Sequence, residues 1–381
     1  MLTAFGITAG CAHRGRHRVT TLLKRTLSYF TYWSNAHTEP IATRPDLTPE
    51  QAAALRLAGE KVSIVRALPF LSLHVACIGV IWTGWSWTAV AMAVGLYCLR
   101  MHAITGWYHR YFSHRAFKTN RLWQFVWAVI GNSTFQRGPL WWAAHHRHHH
   151  RHSDELEDTH SPLRKGFWYS HMGWIFAPIN YRSRLELVPD LTKVPELVWI
   201  DRNDVIIPIL LALCTWLTGL LLAHVAPGLH TGPWQLLVWY LISTVVVAHA
   251  TFTINSLAHV MGSRRFETSD TSRNNLVLAL LTLGEGWHNN HHHYQSAARQ
   301  GFRWYEIDVS WYLLLLQERL GLVFDLKQVP EKVLNHGRKP VAAAVGAAPS
   351  VSTAAVVAAA VAPVTRSIRT STESVLAEPA M

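Results

Sequence analysis

Histidine is the residue type best placed to do chemistry in this chain. The 381 residues include 24 histidines but only four cysteines, which lie far apart without CxxC spacing. This pattern excludes a thiolate zinc ribbon and a disulfide-stapled secreted domain. Imidazole binds iron, zinc, copper and nickel well, so the ligand type alone does not choose the metal. The histidines concentrate in three clusters: His109 with His114, the run 145–152, and the run 288–293.

Two of the clusters share the spacing His-x-x-His-His. Residues three and four apart lie on one face of a helix, so each triplet can converge on one point. The triplets are His146, His149 and His150 in the second cluster and His288, His291 and His292 in the third. In the second cluster 145/148/149 is a competing register.

The first cluster poses a geometric problem. Five residues along an α-helix correspond to a rotation of about 140°. His109 and His114 should therefore serve two different metals, or the helix must unwind between them. A further pair, Asn255 and His259, lies on one helical face at the end of an apolar run, where polar side chains are functional candidates.

Nine imidazoles overfill a tetrahedral zinc site and suit two metals. A solvated basic loop that binds metal adventitiously is the alternative for each cluster alone. A second metal hypothesis comes from two Glu-x-x-His pairs, Glu157/His160 and Glu285/His288, because carboxylate-bridged di-iron bundles use that spacing. Neighbouring Pro162 and the glycines around Glu285 disfavour a regular helix there.

The clusters must be positioned by membrane-spanning helices. Only 15% of residues are charged, and charge-free runs of 33 and 59 residues lie between Arg66 and Arg100 and between Asp204 and Arg264. One span needs about 20 residues, so each run fits two spans, and a large soluble core is the disfavoured alternative. The predicted fold is an all-α integral membrane protein whose four transmembrane helices carry a cytoplasmic helical cap with a histidine-rich di-metal site. The predicted spans are about 64–83, 87–108, 205–226 and 234–256.

Lysine and arginine lie before, between and after these hairpins. The positive-inside bias therefore puts both ends and the histidine clusters on the cytoplasmic side. The net charge of +12 suits an anionic membrane face or substrate and gives no argument for nucleic acid as a partner. We predict a cytoplasmic arm over 1–62 with a helix starting near Thr48, a main domain over 63–327, and a low-complexity, disordered tail over 338–381.

These motifs resemble those of the membrane fatty-acid desaturases, specifically the acyl-CoA Δ9 (stearoyl-CoA) type in its bacterial branch, over roughly residues 65–327. The matching segments are His109-Arg110-x-x-Ser113-His114, His146-Arg147-x-His149-His150, Asn255-Ser256-x-Ala258-His259 and Gly284-Glu285-Gly286-Trp287-His288-Asn289-x-His291-His292.

The resemblance implies an O2-dependent enzyme that introduces a cis double bond at a di-iron centre. Asn255 would hold a metal-bound water, and the implied iron ligands are His109, His114, His146, His149, His150, His259, His288, His291 and His292. Ala144-His145 stands where acyl-CoA members carry a basic residue, but Arg164-Lys165 keeps a basic pair for an anionic head group. Acyl-CoA is the expected substrate, with acyl lipid as the alternative.

Abstraction of hydrogen from an unactivated methylene requires a redox metal with dioxygen, because no side chain is a strong enough oxidant. We expect the floor of the acyl tunnel at Ala93 and Tyr97, three to four turns before His109. The chain has no dinucleotide fingerprint, haem module or iron–sulfur spacing, so electrons should come from a ferredoxin-like carrier and its reductase. A membrane di-iron hydroxylase and a non-enzymatic metal carrier are the remaining alternatives. The expected location is the bacterial inner membrane.

Overall fold

The computed structural model describes residues 58–335 together with Thr48 and Gln51. The predicted tail, 338–381, and most of the predicted arm, 1–62, lie outside the described residues. Thr48 N–H donates to Gln51 Oε1 at 2.9 Å and Gln51 N–H donates to Thr48 Oγ1 at 3.3 Å. This reciprocal pair is a capping box, the arrangement expected at a helix N-terminus.

Four helical segments are long and apolar enough to cross a membrane, which confirms the predicted four-span fold. Their bounds are Ile64–Thr83, Trp87–Ser113, Ile206–Val225 and Pro233–Val260. The second and fourth segments continue past the predicted ends at 108 and 256. The extensions contain His109 and His259, which therefore lie beyond the predicted ends of the spans.

The elements follow one another along the described chain in this order. The helices of the first hairpin are α1 (Ile64–Cys77), α2 (Val80–Thr83) and α3 (Trp87–His102), and a π-helix (Ala103–Ser113) continues α3. Strand β1 (Lys118–Thr119) precedes α4 (Arg121–Asn132), α5 (Pro139–His152), α6 (Pro162–Lys165), α7 (Phe167–His171) and α8 (Pro195–Arg202). The second hairpin comprises α9 (Ile206–Val225), α10 (Pro233–Asn255) and α11 (Leu257–Val260). The last elements are α12 (Leu276–Leu281), α13 (His288–His293), α14 (Val309–Arg319), β2 (Val323–Phe324) and α15 (Glu331–Asn335).

Two short connections join the spans at the end remote from the histidines. Ser86 caps α3 by accepting a hydrogen bond from Ala89 N–H at 3.1 Å, as N-cap serines do. The Ser86 hydroxyl also lies 2.7 Å from the hydroxyl of Thr231 in the other connection. The two hairpins are thus joined at this end, and α10 packs against α1, α3 and α9.

Residues 114–204 and 261–335 form one cap at the opposite end. The cap consists of short helices joined by turns and loops, with isolated bridges from Asn274 to Ser263 and Trp287. Its two strands, β1 and β2, pair antiparallel with Lys118 opposite Phe324 and Thr119 opposite Val323. This ribbon joins the start of the cap to its end. The predicted all-α class therefore holds apart from these four residues.

The main hydrophobic core lies where the π-helix meets α4 and α5. Trp107 is fully buried, stacks on Trp127 at 5.2 Å between ring centroids, and meets Phe117 edge to face. Aromatic side chains of this size dominate core energetics. Gly131 of α4 provides the space for the Tyr108 ring, because a Cβ at residue 131 would lie 2.1 Å from Tyr108 Cε1. The π-helix is therefore fixed by close packing as well as by its own hydrogen bonds.

Substitution of Gly131 by valine should destabilise the protein. The added side chain forces α4 away from Tyr108, and overpacking of this kind costs about 1–3 kcal/mol. A lower Tm in detergent, measured by fluorescence, is the expected result. Gly95→Val is the control, because a Cβ at Gly95 meets nothing within 4 Å. Equal Tm values for the two variants would contradict this account of the packing.

Candidate metal centre

The π-helix resolves the alternative left open for the first histidine cluster. Its widened turns place residues five apart near one another, and His114 N–H donates to His109 O at 3.3 Å. The rings of His109 and His114 lie 5.0 Å apart between centroids. The helix widens between the two histidines, so both side chains reach the same place.

Helix α5 presents the second cluster in one of its two possible registers. His145 Nδ1 contacts Trp141 O at 2.9 Å and His148 Nε2 contacts Glu157 O at 2.9 Å, so both point away from the other clusters. The structure brings His146, His149 and His150 to the first and third clusters instead. The register 145/148/149 does not form a common site.

All nine histidines named from the sequence come together in two adjoining groups. In each group the nearest ring nitrogens lie within 4.8 Å of one another. The larger group, here called the five-histidine group, contains His109, His114, His146, His150 and His291. The four-histidine group contains His149, His259, His288 and His292. The groups touch where the His150 and His292 rings approach to 4.4 Å between centroids.

Ring nitrogens in both groups face one another at close range. Nε2 of His114 lies 2.8 Å from Nε2 of His146, and Nε2 of His291 lies 2.9 Å from Nε2 of His150. In the four-histidine group the Nε2 atoms of His149 and His292 are buried without a hydrogen-bond partner. Convergent and unpartnered imidazole lone pairs are the arrangement that a metal ion requires. The residues present therefore fit a pair of metal ions.

The protonation state of these histidines also suits metal binding. Burial, followed by the neighbouring imidazoles, holds the pKa values of His146, His150 and His291 well below the ordinary histidine value. The pKa values of His114 and His288 are lowered in the same way. These rings are therefore neutral at pH 7, and a neutral imidazole is the form that coordinates metal.

Carboxylates orient four of the nine rings through the opposite nitrogen. The contact distances are 3.0 Å from His149 Nδ1 to Asp158, 2.5 Å from His292 Nδ1 to Asp270, and 3.6 Å from His259 Nδ1 to Asp154. The fourth pair is His109 Nδ1 with Glu285. Such carboxylate–histidine contacts fix the tautomer that leaves Nε2 free for a metal.

Sequence reasoning did not identify these carboxylates as orienting groups. Asp154 and Asp158 follow the second cluster closely, and Glu285 precedes His288 by three residues. The chain has only 23 acidic residues, so finding several of them beside the histidine clusters could have indicated that they contact the rings. Their partners, however, depend on tertiary contacts.

Glu285 is held by a buried arginine. The Arg110 guanidinium lies 3.1 Å from Glu285 Oε1 and contacts both oxygens of Asp308, at 2.9 and 3.0 Å. Gly284 makes room for this network with φ of +135°, since a Cβ there would lie 2.3 Å from Asp308 Oδ1. Burial raises the pKa of Glu285, but His109 and Arg110 outweigh burial and leave the pKa lowered.

This arrangement bears on the Glu-x-x-His hypothesis. Glu285 is committed to Arg110, His109 and Gln300. Glu157 is exposed on the cap surface. Neither histidine group includes a carboxylate. Two further groups among the described residues do, His149 with Asp158 and His160, and His152 with Glu155 and Glu157, but no group joins either glutamate of the hypothesis to the histidine three residues after it.

Two connected cavities border the histidine groups. The small one, about 40 Å³, is lined by Met101, Ile104 and Thr282 together with His109, His146 and His288. The large one, about 1040 Å³, runs from His146 towards α1 and the start of α9. Trp142, His146, His160, Thr251 and Asn255 line both cavities, so the large cavity leads directly to the metal centre.

The remaining predicted site residues occupy different positions. Asn255 faces both cavities, and its backbone carbonyl accepts a hydrogen bond from Ser170 Oγ at 2.5 Å. Arg164 and Lys165 line neither of these cavities: Arg164 donates to Asp154 O at 2.8 Å, and Lys165 pairs with Glu60 at 2.9 Å. Tyr97 packs on Met101 in a hydrophobic cluster and donates to Leu281 O, while Ala93 lies one turn further from the centre.

A membrane-spanning helical bundle with two buried polyhistidine groups at one end defines a class of membrane metalloprotein. Comparison with known proteins gives the family. The fatty acid desaturase family model matches residues 85–316, and the chain belongs to the membrane fatty acid desaturases.

Characterised relatives agree with this assignment. The chain is 36% identical over 272 residues to an acyl-CoA 5-desaturase of Anemone leveillei, covering 70% of this chain and 79% of the relative. It is 35% identical over 276 residues to an sn-1 stearoyl-lipid 9-desaturase of Anabaena variabilis, covering 71% and 96%. It is 33% identical over 258 residues to an sn-2 palmitoyl-lipid 9-desaturase of Nostoc, covering 66% and 86%.

Loss of one orienting carboxylate should weaken metal binding without unfolding the protein. For Asp270→Asn we expect a loss of about 10- to 100-fold in affinity at the four-histidine group, because His292 loses its anionic partner. Metal content after dialysis against a graded chelator series, measured by mass spectrometry, reports this loss. Asp325→Asn is a matched control, since Asp325 forms an exposed ion pair with Lys118 and belongs to none of the candidate metal groups. Equal metal retention in both variants would contradict the orienting role.

Proposed function

We propose that this desaturase introduces a cis double bond at the Δ9 position of a saturated acyl chain in an O2-dependent reaction at a di-iron centre. The observation that carries the proposal is the pair of buried histidine groups at the inner end of a long, largely apolar cavity. The proposed iron-binding residues are the nine histidines of the two groups, with Asn255 beside them. Bound iron would supply the redox chemistry with dioxygen that side chains cannot supply.

The residues of this chain would bind and orient the acyl chain. Trp141, Trp174 and Phe252 give the large cavity apolar walls, which exclude water from a hydrocarbon substrate. Gln136 Nε2 donates to Thr251 Oγ1 at 3.2 Å near the junction of the two cavities. This contact ties the turn between α4 and α5 to α10. A substrate held by fixed walls presents one segment of its chain to the metal centre, which is how positioning selects the bond.

Acyl-CoA is the proposed acyl donor, and a membrane acyl lipid is the second candidate. Relatives of both kinds support this pair: one is named as an acyl-CoA desaturase and others as lipid desaturases. The lipid candidate is also favoured by the cavity itself, whose wall includes residues of two spans, Leu68 of α1 and Ile209 of α9.

The proposed location is the bacterial inner membrane, with the cap on the cytoplasmic side. The basis is the positive-inside bias of lysine and arginine outside the spans. An acidic ferredoxin-like carrier with its reductase is the proposed electron donor, which the net charge of +12 would attract.

Expression in a desaturase-deficient bacterial host tests the function. Gas chromatography with double-bond mapping should find a Δ9 cis alkene in the wild type and none with His146→Ala, because that variant removes a member of the five-histidine group. His148→Ala is the control on the same helix, because the His148 ring contacts Glu157 O and lines neither cavity. Alcohol instead of alkene would indicate a hydroxylase. Metal uptake without either product would indicate a carrier.

The second span should set the preferred chain length. Met101 lines the small cavity, and Tyr97 packs against the cluster that contains Met101 without lining the cavity itself. Tyr97→Ala should shift the product profile towards longer chains because it deepens this end, whereas Ala93→Phe should shorten the preferred chain. Competition between acyl chains of different length, read out by gas chromatography, measures both shifts. An unchanged profile in both variants would refute this position for the tunnel floor.

A further inference from the structure

The large cavity reaches the surface of the protein between two spans. Five residues of the spans line the cavity and are also exposed: Val65, Leu68, Pro69 and Ser72 of α1 and Ile209 of α9. Leu68 is 53% exposed and Ile209 is 58% exposed. Because these side chains contact both the cavity and the surroundings, the cavity opens between α1 and α9. We call this gap, bounded by these five residues, the side opening.

The cap side of the same cavity is closed. Among the cap residues that line it, Pro178 is the one exposed residue. The aromatic rings of Trp141, Trp174 and Phe176 form much of this wall, and none of the three residues is more than 6% exposed. These buried rings separate the cavity from the water around the cap. A chain that arrived from water would have to displace them, whereas a chain that arrived from the side would not.

The side opening lies at the depth of lipid tails. The cavity follows α1 from Val65 to Leu73, and the span itself begins at Ile64. Eight residue steps along an α-helix correspond to about 12 Å. The hydrocarbon core of a bilayer is about 30 Å thick, so this stretch covers most of the depth of one leaflet. That leaflet is the one beside the cap, because the chain enters α1 from the cap end.

Two contacts hold α1 at the ends of the side opening. At the cap end, Ser63 N–H donates to Phe176 O at 3.2 Å. At the deep end, Nε2 of His74 lies 2.9 Å from Nε2 of His249 in α10, a polar contact of the kind that joins spans in lipid. Ala67 is the one buried residue of α1. The ends of the opening are therefore fixed, while α1 is little covered by protein between them.

We propose that the acyl chain of a lipid in the leaflet beside the cap enters the large cavity through the side opening and so reaches the metal centre without passing through water. The inference rests on the proposed function in taking an acyl chain as the occupant of the cavity. A hydrocarbon chain that moves from lipid into an apolar cavity exposes no apolar surface to water, so the hydrophobic effect does not oppose this step. The route admits any acyl donor whose chain already lies in this leaflet, whatever its head group.

A groove that only holds boundary lipid makes a different prediction. A lipid chain would then touch Leu68 and Ile209 from outside and would not pass them. The buried rings of Trp141 and Trp174 on the opposite wall would not meet any lipid from the bilayer. Contact between bilayer lipid and that wall therefore separates the two cases.

Photochemical labelling of the full-length holoenzyme in phosphatidylglycerol vesicles tests the route. The probe is a phosphatidylglycerol that carries a diazirine near the methyl end of one acyl chain, and mass spectrometry locates its adducts. We expect adducts on the cavity wall at Trp141, Trp174 or Phe176, which are buried from the surrounding lipid. Adducts on Leu217 and Leu221, which are exposed on α9, provide the reference for lipid contact.

Bulky side chains at the side opening should block the route. Leu68→Trp and Ile209→Trp each put an indole into the gap, and cavity adducts should fall about 10-fold relative to the reference adducts. Val75→Trp and Leu213→Trp are the matched controls, because Val75 and Leu213 are exposed on the same two helices but do not line the cavity. Leu68→Ala widens the gap and should keep or raise the number of cavity adducts.

Several results would overturn the proposal. They are an absence of cavity adducts in the wild type, equal numbers of cavity adducts in Ile209→Trp and Leu213→Trp, and a fall in Leu68→Ala, which would show that any change at this position disturbs the fold. Labelling needs no turnover, so the proposed function is tested separately. Cavity adducts without any alkene product would refute the proposed function and leave the route intact, whereas alkene formation without cavity adducts would refute the route alone.

Discussion

Removal of nine imidazoles from water is the constraint on which the rest of this structure depends. A buried imidazolium is costly, and several within one group would repel one another, so most of the rings must be neutral. His149 is the exception, because Asp158 outweighs burial and raises its pKa. Neutral rings still carry one N–H each that needs an acceptor. The carboxylates of Asp158, Asp270 and Glu285 accept on the outer side, which leaves lone pairs facing inward. For His259 the outer nitrogen contacts the Thr271 hydroxyl at 3.4 Å, with Asp154 at 3.6 Å.

The carboxylates in turn need compensation inside the cap. The His149 ring and nearby N–H groups outweigh burial and hold the pKa of Asp158 well below its usual value. Glu285 depends on Arg110, and Arg110 on Asp308, which also caps α14 by accepting from Trp311 N–H at 3.0 Å. The metal centre is thereby connected to a helix remote from it. The packing of the cap and the protonation state of the histidines therefore depend on the same buried contacts.

Much of this architecture could be predicted from residue types and spacing. Charge-free runs are sufficient evidence for spans because lipid leaves few alternatives. The His-x-x-His-His spacing predicted which faces of α5 and α13 converge in the structure, since helical periodicity is a local property. The choice between the two registers in α5 could not be made from the spacing alone. It depends on the backbone carbonyls of Trp141 and Glu157, which contact the rings of His145 and His148. The π-helix was foreseen only as one of two options, because widening of a turn depends on the packing around Tyr108 and Gly131.

The cavity walls lay beyond sequence reasoning for a different reason. Residues from α1, the turn before α5, the loop at Tyr181 and the start of α9 meet there, and no spacing rule relates segments so far apart in the chain. The basic pair at Arg164 and Lys165 was visible as a motif, whereas Arg66 and Arg137 are single arginines separated by 70 residues. Only the tertiary structure brings both guanidinium groups over the ring of Tyr181.

Helix α12 has a consequence for how this enzyme can be handled. Leu276, Val277, Leu280 and Leu281 of this helix are exposed, Val277 to 72%, whereas Leu278 is buried. Leu281 O accepts a hydrogen bond from Tyr97, five residues before the end of α3. The lower edge of the cap is therefore immersed among lipid tails beside the second span. A fragment without the membrane spans would expose these apolar side chains of α12 to water and would aggregate. Detergents with short alkyl tails would leave these side chains poorly covered.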